Sequence, residues 1–163
     1  MFFIEELKKI TNQKDCKMAI FVDMDGVVAD YRFGEGKNIE NNVSGTYLYK
    51  RPIYTVINIL KTVNEELNFD IYILSSCRYK EQAEEKSEWL EKYMPFINKN
   101  NQIFVIASTF EDRKMLKINK VKELLDKKYD KAVMIDDTHD ILFLAIKELN
   151  DRVIPYHVIT LLD

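Results

Sequence analysis

The chain has 163 residues, 47% hydrophobic and 31% charged, with 24 basic against 27 acidic side chains and a formal net charge of −3. That length supports one ordinary core, and the composition excludes a disordered chain. Near-balanced charge gives no general attraction to nucleic acid or anionic membrane, and no apolar run approaches the roughly 20 residues that cross a bilayer.

The opening "MFFIEELKKI" mixes apolar and charged residues at helical spacing, which predicts an amphipathic helix over 2–12 rather than a secretory leader. "MAIFV" (18–22) is an apolar run of strand length, and a polar, glycine-containing stretch comes next at 34–49. "PIYTVINILKTVNEEL" (52–67) opens on a proline suited to a helix start and repeats apolar residues every three to four positions. "DIYIL" (70–74) predicts a second strand, "EQAEEKSEWLEKYM" (81–94) a solvated helix with Trp89 and Leu90 turned inward, and "QIFVIA" (102–107) a third strand. A helix over 119–128, a strand "AVMI" (132–135), a helix over 139–149 and a fifth strand over 152–159 complete the pattern. Cys16 and Cys77 lack metal-ligand spacing and read as reduced thiols of a cytoplasmic protein.

Strand–helix alternation of this kind predicts an α/β fold with a mostly parallel sheet and helices on both faces. Such sheets bind ligands beyond the carboxyl ends of their strands, so the residues just past each strand carry the most information. After the first strand come Asp23 and Asp25, after the second Ser75 and Ser76, and after the fourth Asp136 and Asp137. Beyond the third strand a segment rich in lysine, "EDRKMLKINK", leads towards the next helix. Taken singly, each motif has a plain structural reading, since aspartate and serine favour turns and helix caps. A calcium-binding EF-hand loop is excluded, because Val27 and Gly34 fall where oxygen ligands are required.

Together, the strand ends describe one chemistry. Four carboxylates at one edge repel unless a cation sits among them, and hard oxygen donors suit Mg²⁺. Asp23 is then a nucleophile towards phosphorus. Asp25 is a general acid and base whose environment is expected to raise its pKa. The Ser75 hydroxyl and an ammonium would hold the phosphate oxygens, and Gly26 permits a tight turn beside them.

The order DxDGV, then a strand ending in serine, then lysine, then a strand ending in DD, resembles the haloacid dehalogenase-like phosphohydrolase superfamily over residues 18 to about 150. "FVDMDGVVADY", "IYILSSCR" and "EEKSEWLEKYMPFI…QIFVI" are most similar to the 5′(3′)-deoxyribonucleotidase family and its small bacterial and phage relatives. The resemblance implies a three-layer Rossmann-like fold with sheet order 3-2-1-4-5, filling residues 1–163 as a single domain. It implies Asp23 as nucleophile and Asp25 as acid/base. Magnesium would be held by the Asp23 carboxylate, the Asp25 carbonyl and Asp137, with Asp136 as ligand or as partner of one. Ser75 matches the phosphate-binding hydroxyl, with Ser76 beside it. Lys120 is the preferred phosphate-binding lysine, with Lys114 and Lys117 as rivals.

Those nucleotidases carry a helical cap between the first two motifs, whereas here only about 20 residues separate Tyr31 from Pro52. A loop or small hairpin over 31–51, a minimal cap, is the expectation. Its Tyr31, Phe33, Tyr47, Tyr49, Lys50 and Arg51 can stack on a base and meet a phosphate, or simply cover the sheet edge.

The expected protein is therefore a Mg²⁺-dependent phosphomonoester hydrolase acting on a (deoxy)nucleoside monophosphate or similar small ester. It would have no membrane partner and exist as a monomer or small homo-oligomer. The competing readings are a receiver-like phosphoacceptor, a catalytically idle binding module, and a phosphatase of another substrate class such as nucleic-acid 3′-phosphate ends. His139, His157 and Cys77 carry no assigned role.

Overall fold

The computed structural model describes residues 2–11, 16–34, 45–67 and 69–163. A five-stranded sheet is built from β1 (Met18–Val22), β4 (Asp70–Cys77), β5 (Gln102–Ile106), β6 (Lys131–Asp136) and β7 (Val153–His157). Two short strands, β2 (Ala29–Phe33) and β3 (Lys50–Pro52), form a separate antiparallel pair. The main sheet runs β5-β4-β1-β6-β7 with every neighbouring pair parallel. Counting only its own five strands, this is the order 3-2-1-4-5.

β1 is central because its side chains are apolar on both faces. Met18, Ile20 and Val22 join one core with Phe3, Leu7, Leu60, Val63, Trp89 and Leu90, whereas Ala19 and Phe21 join another with Ile118, Val121, Leu125 and Ala145. Side chains of a strand alternate between faces, so a run without polar residues must be covered twice. Helices α1 (Phe2–Thr11), α2 (Tyr54–Glu66) and α3 (Lys80–Tyr93) cover the first face; α4 (Phe110–Lys127) and α5 (His139–Leu149) cover the second. The result is a three-layer, Rossmann-like α/β fold.

Several boundaries differ from the sequence expectation for identifiable reasons. The helix expected at 119–128 starts at Phe110, because the Thr109 hydroxyl caps it by accepting from the Asp112 amide at 3.1 Å, and Glu111 and Asp112 fill its first turn. Pro52 ends a strand rather than starting a helix, and α2 begins at Tyr54. The second strand of the sheet continues through Ser75, Ser76 and Cys77, paired with β5 from Ile73 to Cys77, and the last strand stops at His157. Of the expected cap-like segment 31–51, residues 35–44 lie outside the described residues; its flanks make the β2–β3 pair, with Phe33 opposite Lys50. Among the described residues no helix is long and apolar enough to cross a membrane.

Phe21 is fully buried and stacks on Tyr72 with centroids 5.2 Å apart. Phe21→Ala should lower unfolding free energy by about 3–5 kcal/mol, measured by urea titration, because the central strand cannot collapse into the void.

Candidate active site

The chain leaves β1 towards β4 on one side and later returns through β6 on the other, so the direction of winding reverses beside β1. This is where an open parallel sheet parts at its carboxyl edge. Asp23 comes directly after β1 there, and its amide donates to the Ile135 carbonyl of β6 at 3.0 Å. Asp136, the last residue of β6, and Asp137 stand alongside: one carboxylate oxygen each of Asp23, Asp136 and Asp137 lies within 4.8 Å of the others.

A buried lysine holds this group together. Lys117 of α4 places its Nζ 2.9 Å from Asp23 Oδ1 and 2.8 Å from Asp136 Oδ2, and the lysine is 1% exposed. Burial opposes its charge, but Asp23 and Asp136 outweigh that and hold the ammonium well above the usual lysine range. Asp136 spends its other oxygen on the Thr138 amide at 2.9 Å. Among the described residues Asp23 Oδ2 accepts no hydrogen bond and each Asp137 oxygen accepts one, Oδ1 from the Thr138 hydroxyl at 3.3 Å, which leaves lone pairs for a cation. Asp137 is further oriented by the Tyr31 hydroxyl, which donates to Oδ2 at 2.9 Å.

Gly26 makes this approach possible. Its φ is +78°, and a Cβ there would fall 2.6 Å from Asp137 Cγ and 2.9 Å from Tyr31 Cε2. Only glycine combines that backbone conformation with the missing volume. An all-oxygen donor set of this kind is the chemistry of a hard divalent cation.

Asp25 lies in a different environment. Lys50 of β3 donates to its Oδ1 at 2.9 Å, and Lys86 of α3 donates to its Oδ2 at 2.6 Å. Lys86 also donates to Ser75 Oγ at 2.8 Å and to the Ser76 carbonyl at 2.9 Å, so every ammonium proton is engaged. The ring of Tyr47 lies 5.1 Å from the Lys50 Nζ and 5.0 Å from the Lys86 Nζ.

These surroundings push the two neighbouring carboxylates in opposite directions. Burial raises Asp23; Lys117 pulls it down, but Asp136 and Asp25 push it up again, and it settles at about 6. Burial also raises Asp25, but Lys86 and Lys50 outweigh it and bring the carboxyl to about 2. The expected upward shift at Asp25 is therefore reversed. Asp137 is raised, by burial first, against the lowering hydrogen bond from Tyr31.

Lys120, the preferred lysine of the sequence reading, is exposed and pairs with Glu123 at 3.1 Å; Lys114 pairs with Glu111 at 2.9 Å. Neither joins the carboxylates, and Lys117 does. The physical reason is helix phase: Lys117, Ile118, Val121 and Leu125 form the buried stripe of α4, whereas a helix begun at 119 leaves Lys117 outside it. Lys86 was missed altogether, although it sits at i−3 and i−4 from the buried pair Trp89 and Leu90, a spacing that marks it as inward-facing. Ser75 is fully buried behind Lys86, while Ser76 lines an open cavity of about 300 Å³ beside Asp25. Of the cap aromatics, Tyr31, Phe33 and Tyr47 line that cavity with Lys50; Tyr49 and Arg51 border a separate depression next to Trp89.

His157, without a role in the sequence reading, bonds through Nε2 to the Asp137 carbonyl at 3.0 Å and stacks on His139 at 4.5 Å. Burial pushes the Cys77 thiol up to about 11, so it is not a thiolate at neutral pH.

No protein-family model matches the chain, and no curated protein matches it. Its fold is similar to a chain in a structure of the Pnkp1/Rnl/Hen1 RNA repair complex, at a TM-score of 0.61 and 17% identity over 89% of the present chain. A chain in a second structure of the Pnkp1/Rnl/Hen1 complex gives 0.62, again at 17% identity over 89%. The present chain spans 44% and 47% of those two chains. At that identity the likeness is one of fold.

Because the folded state raises Asp23 above its unfolded value of 3.8, its contribution to stability is full below that pH and is lost as pH rises through about 6. In EDTA, Asp23→Asn should therefore be more stable than wild type at pH 7.5, by something on the order of 2 kcal/mol. The difference should close below pH 4, as monitored by thermal or urea unfolding.

Proposed function

We propose that the protein is a Mg²⁺-dependent phosphomonoester hydrolase that works through a phosphorylated Asp23, with a (deoxy)nucleoside monophosphate or similar small ester as substrate. The observation that carries this reading is the partition of the DxD pair. Asp23 shares a cleft with Asp137 and Lys117, whereas Asp25 is turned into the adjoining cavity between two lysines. The motif order that resembles haloacid dehalogenase-like phosphohydrolases supports the same assignment, as does a fold that places all four segments at one sheet edge.

The cation would be held by the Asp23 and Asp137 carboxylates and the Asp25 carbonyl, and when bound it supplies charge neutralisation for a phosphate entering an acidic cleft. Asp23 attacks phosphorus, the bond to the ester oxygen breaks, and Asp25 delivers a proton to the departing alcohol. Water then attacks the acyl phosphate, Asp25 takes its proton, and inorganic phosphate leaves with Asp23 restored. Lys117 aligns the nucleophile while Asp136, with both oxygens occupied, fixes Lys117. The Ser76 hydroxyl, on the wall of the cavity beside Asp25, would donate to an equatorial phosphate oxygen, and Lys86 would do so on exchanging one of its present acceptors.

At a resting value of about 2, Asp25 is already the base that the second step requires. The first step needs it protonated. An arriving phosphate dianion provides the drive, because it adds like charge beside Asp25 and competes with it for Lys86 and Lys50.

Purified protein with Mg²⁺ should release inorganic phosphate from 4-nitrophenyl phosphate or deoxynucleoside monophosphates, and EDTA or Asp23→Asn should abolish turnover by at least about a thousandfold. Undiminished turnover by Asp23→Asn would refute the nucleophile. An aspartyl phosphate that persists without turnover would favour the receiver-like reading instead.

A further inference from the structure

The cavity beside Asp25 is larger than a phosphate seat and carries charge that one phosphate does not use. Besides Asp25 and Lys50 it is lined by Arg78, Arg113, Gln82 and Glu85. Both of its carboxylates are already satisfied: Asp25 by its two lysines, Glu85 by the backbone amides of Gly45 at 2.6 Å and Tyr47 at 3.0 Å. Among the described residues the wall therefore keeps an excess of positive charge: Asp25 is paired with lysines, and Glu85, the other carboxylate, has an amide on each oxygen and faces two arginines. Arg78 makes no side-chain ion pair among the described residues.

Arg113 is held in place from behind, because its Nη1 donates to the carbonyls of Ala107 at 2.9 Å and Ser108 at 2.8 Å. Among the described residues its Nε and Nη2 donors remain unspent. Tyr47 lines the same wall, but its hydroxyl is buried towards Asp25. Two guanidinium groups without an ion pair among the described residues, on one concave surface, select a further anionic, oxygen-rich group. The rings of Tyr31 and Phe33 on the same wall offer apolar faces to whatever joins that group to the reacting phosphate.

Spacing sets the size of the ligand. Arg78 lies two residues beyond Ser76, the serine that lines the cavity, a span of about 7 Å of extended chain. A cavity of about 300 Å³ accommodates one small organic unit between the two anion positions.

We propose that Arg78 and Arg113 form a second phosphate subsite, so that the preferred substrate is a nucleotide unit phosphorylated on both sides of its sugar, one phosphate reacting at Asp23 and the other held by the arginines. The assignment rests on the phosphomonoesterase reading. The second phosphate is either a free monoester, as in a nucleoside 3′,5′-bisphosphate, or the diester link of a chain that ends in a 3′-phosphate.

The test compares a deoxynucleoside 5′-monophosphate, its 3′-monophosphate, its 3′,5′-bisphosphate and a short oligonucleotide with a 3′-phosphate. Turnover with Mg²⁺ is measured for wild type, Arg78→Ala, Arg113→Ala and Arg113→Lys, and equilibrium binding for Asp23→Asn. The doubly phosphorylated ligands should exceed both monophosphates in kcat/KM by about tenfold or more, and Arg78→Ala should remove most of that ratio. The slope of log affinity against log salt for the oligonucleotide should become shallower by about one in Arg78→Ala. Preference for the bisphosphate identifies a small substrate, and preference for the oligonucleotide identifies a chain end; either supports the subsite.

Equal kcat/KM and equal affinity for singly and doubly phosphorylated ligands would overturn it, as would a preference untouched by every arginine variant. Selective binding of doubly phosphorylated ligands with no turnover of any ester would retain the subsite and reject the phosphatase chemistry. Turnover without selectivity would do the reverse.

Discussion

Four aspartates crowded onto the carboxyl edge of one sheet are tolerable only because three buried ammonium groups, of Lys50, Lys86 and Lys117, stand among them. An isolated charge taken out of water costs several kcal/mol even after relaxation, and like charges within a few ångströms add to that cost. Lys117 comes from α4 on one face of the sheet and Lys86 from α3 on the other, so the site is pinned between both helical layers. Neither helix can shift along the sheet without leaving a carboxylate or a lysine buried alone. The architecture of the fold and the electrostatics of the cleft are therefore one constraint.

That constraint also differentiates two carboxylates only two positions apart. Gly26 reverses the chain after Asp25, so Asp23 stays with the β6 acids while Asp25 swings towards the β2–β3 pair and α3. One lysine shared with Asp136 leaves Asp23 reluctant to ionise; two lysines of its own leave Asp25 firmly ionised. Opposed pKa values on adjacent groups are a recurrent arrangement where one chain must hold and move protons at neutral pH.

The short β2–β3 pair lies over the carboxyl edge of the sheet beside these carboxylates. It supplies Lys50 to Asp25, Tyr31 to Asp137 and rings to the adjoining cavity from a few residues on either side of the stretch 35–44. Its hold on the core is anchored by the Trp89 indole, which donates to the Lys50 carbonyl at 3.0 Å. The cavity is thus continuous with the carboxylate cluster, since Tyr31 and Lys50 line the one and bond to the other.

The sequence by itself determined the strand-and-helix alternation, the central place of "MAIFV", and the convergence of Asp23, Asp25, Asp136 and Asp137. These arise from side-chain periodicity and from the rule that parallel strands end at a common edge, both local in sequence. The identity of the buried lysines, the burial of Ser75 and the downward shift of Asp25 were decided only by tertiary structure. Lysine is a surface residue by default, and nothing in a window of ten residues distinguishes Lys117 from Lys120 until the helix phase is set by the Thr109 cap. Pairing across 61 residues, as between Lys86 and Asp25, is a property of packed layers, because only the folded sheet brings α3 over the turn at the end of β1.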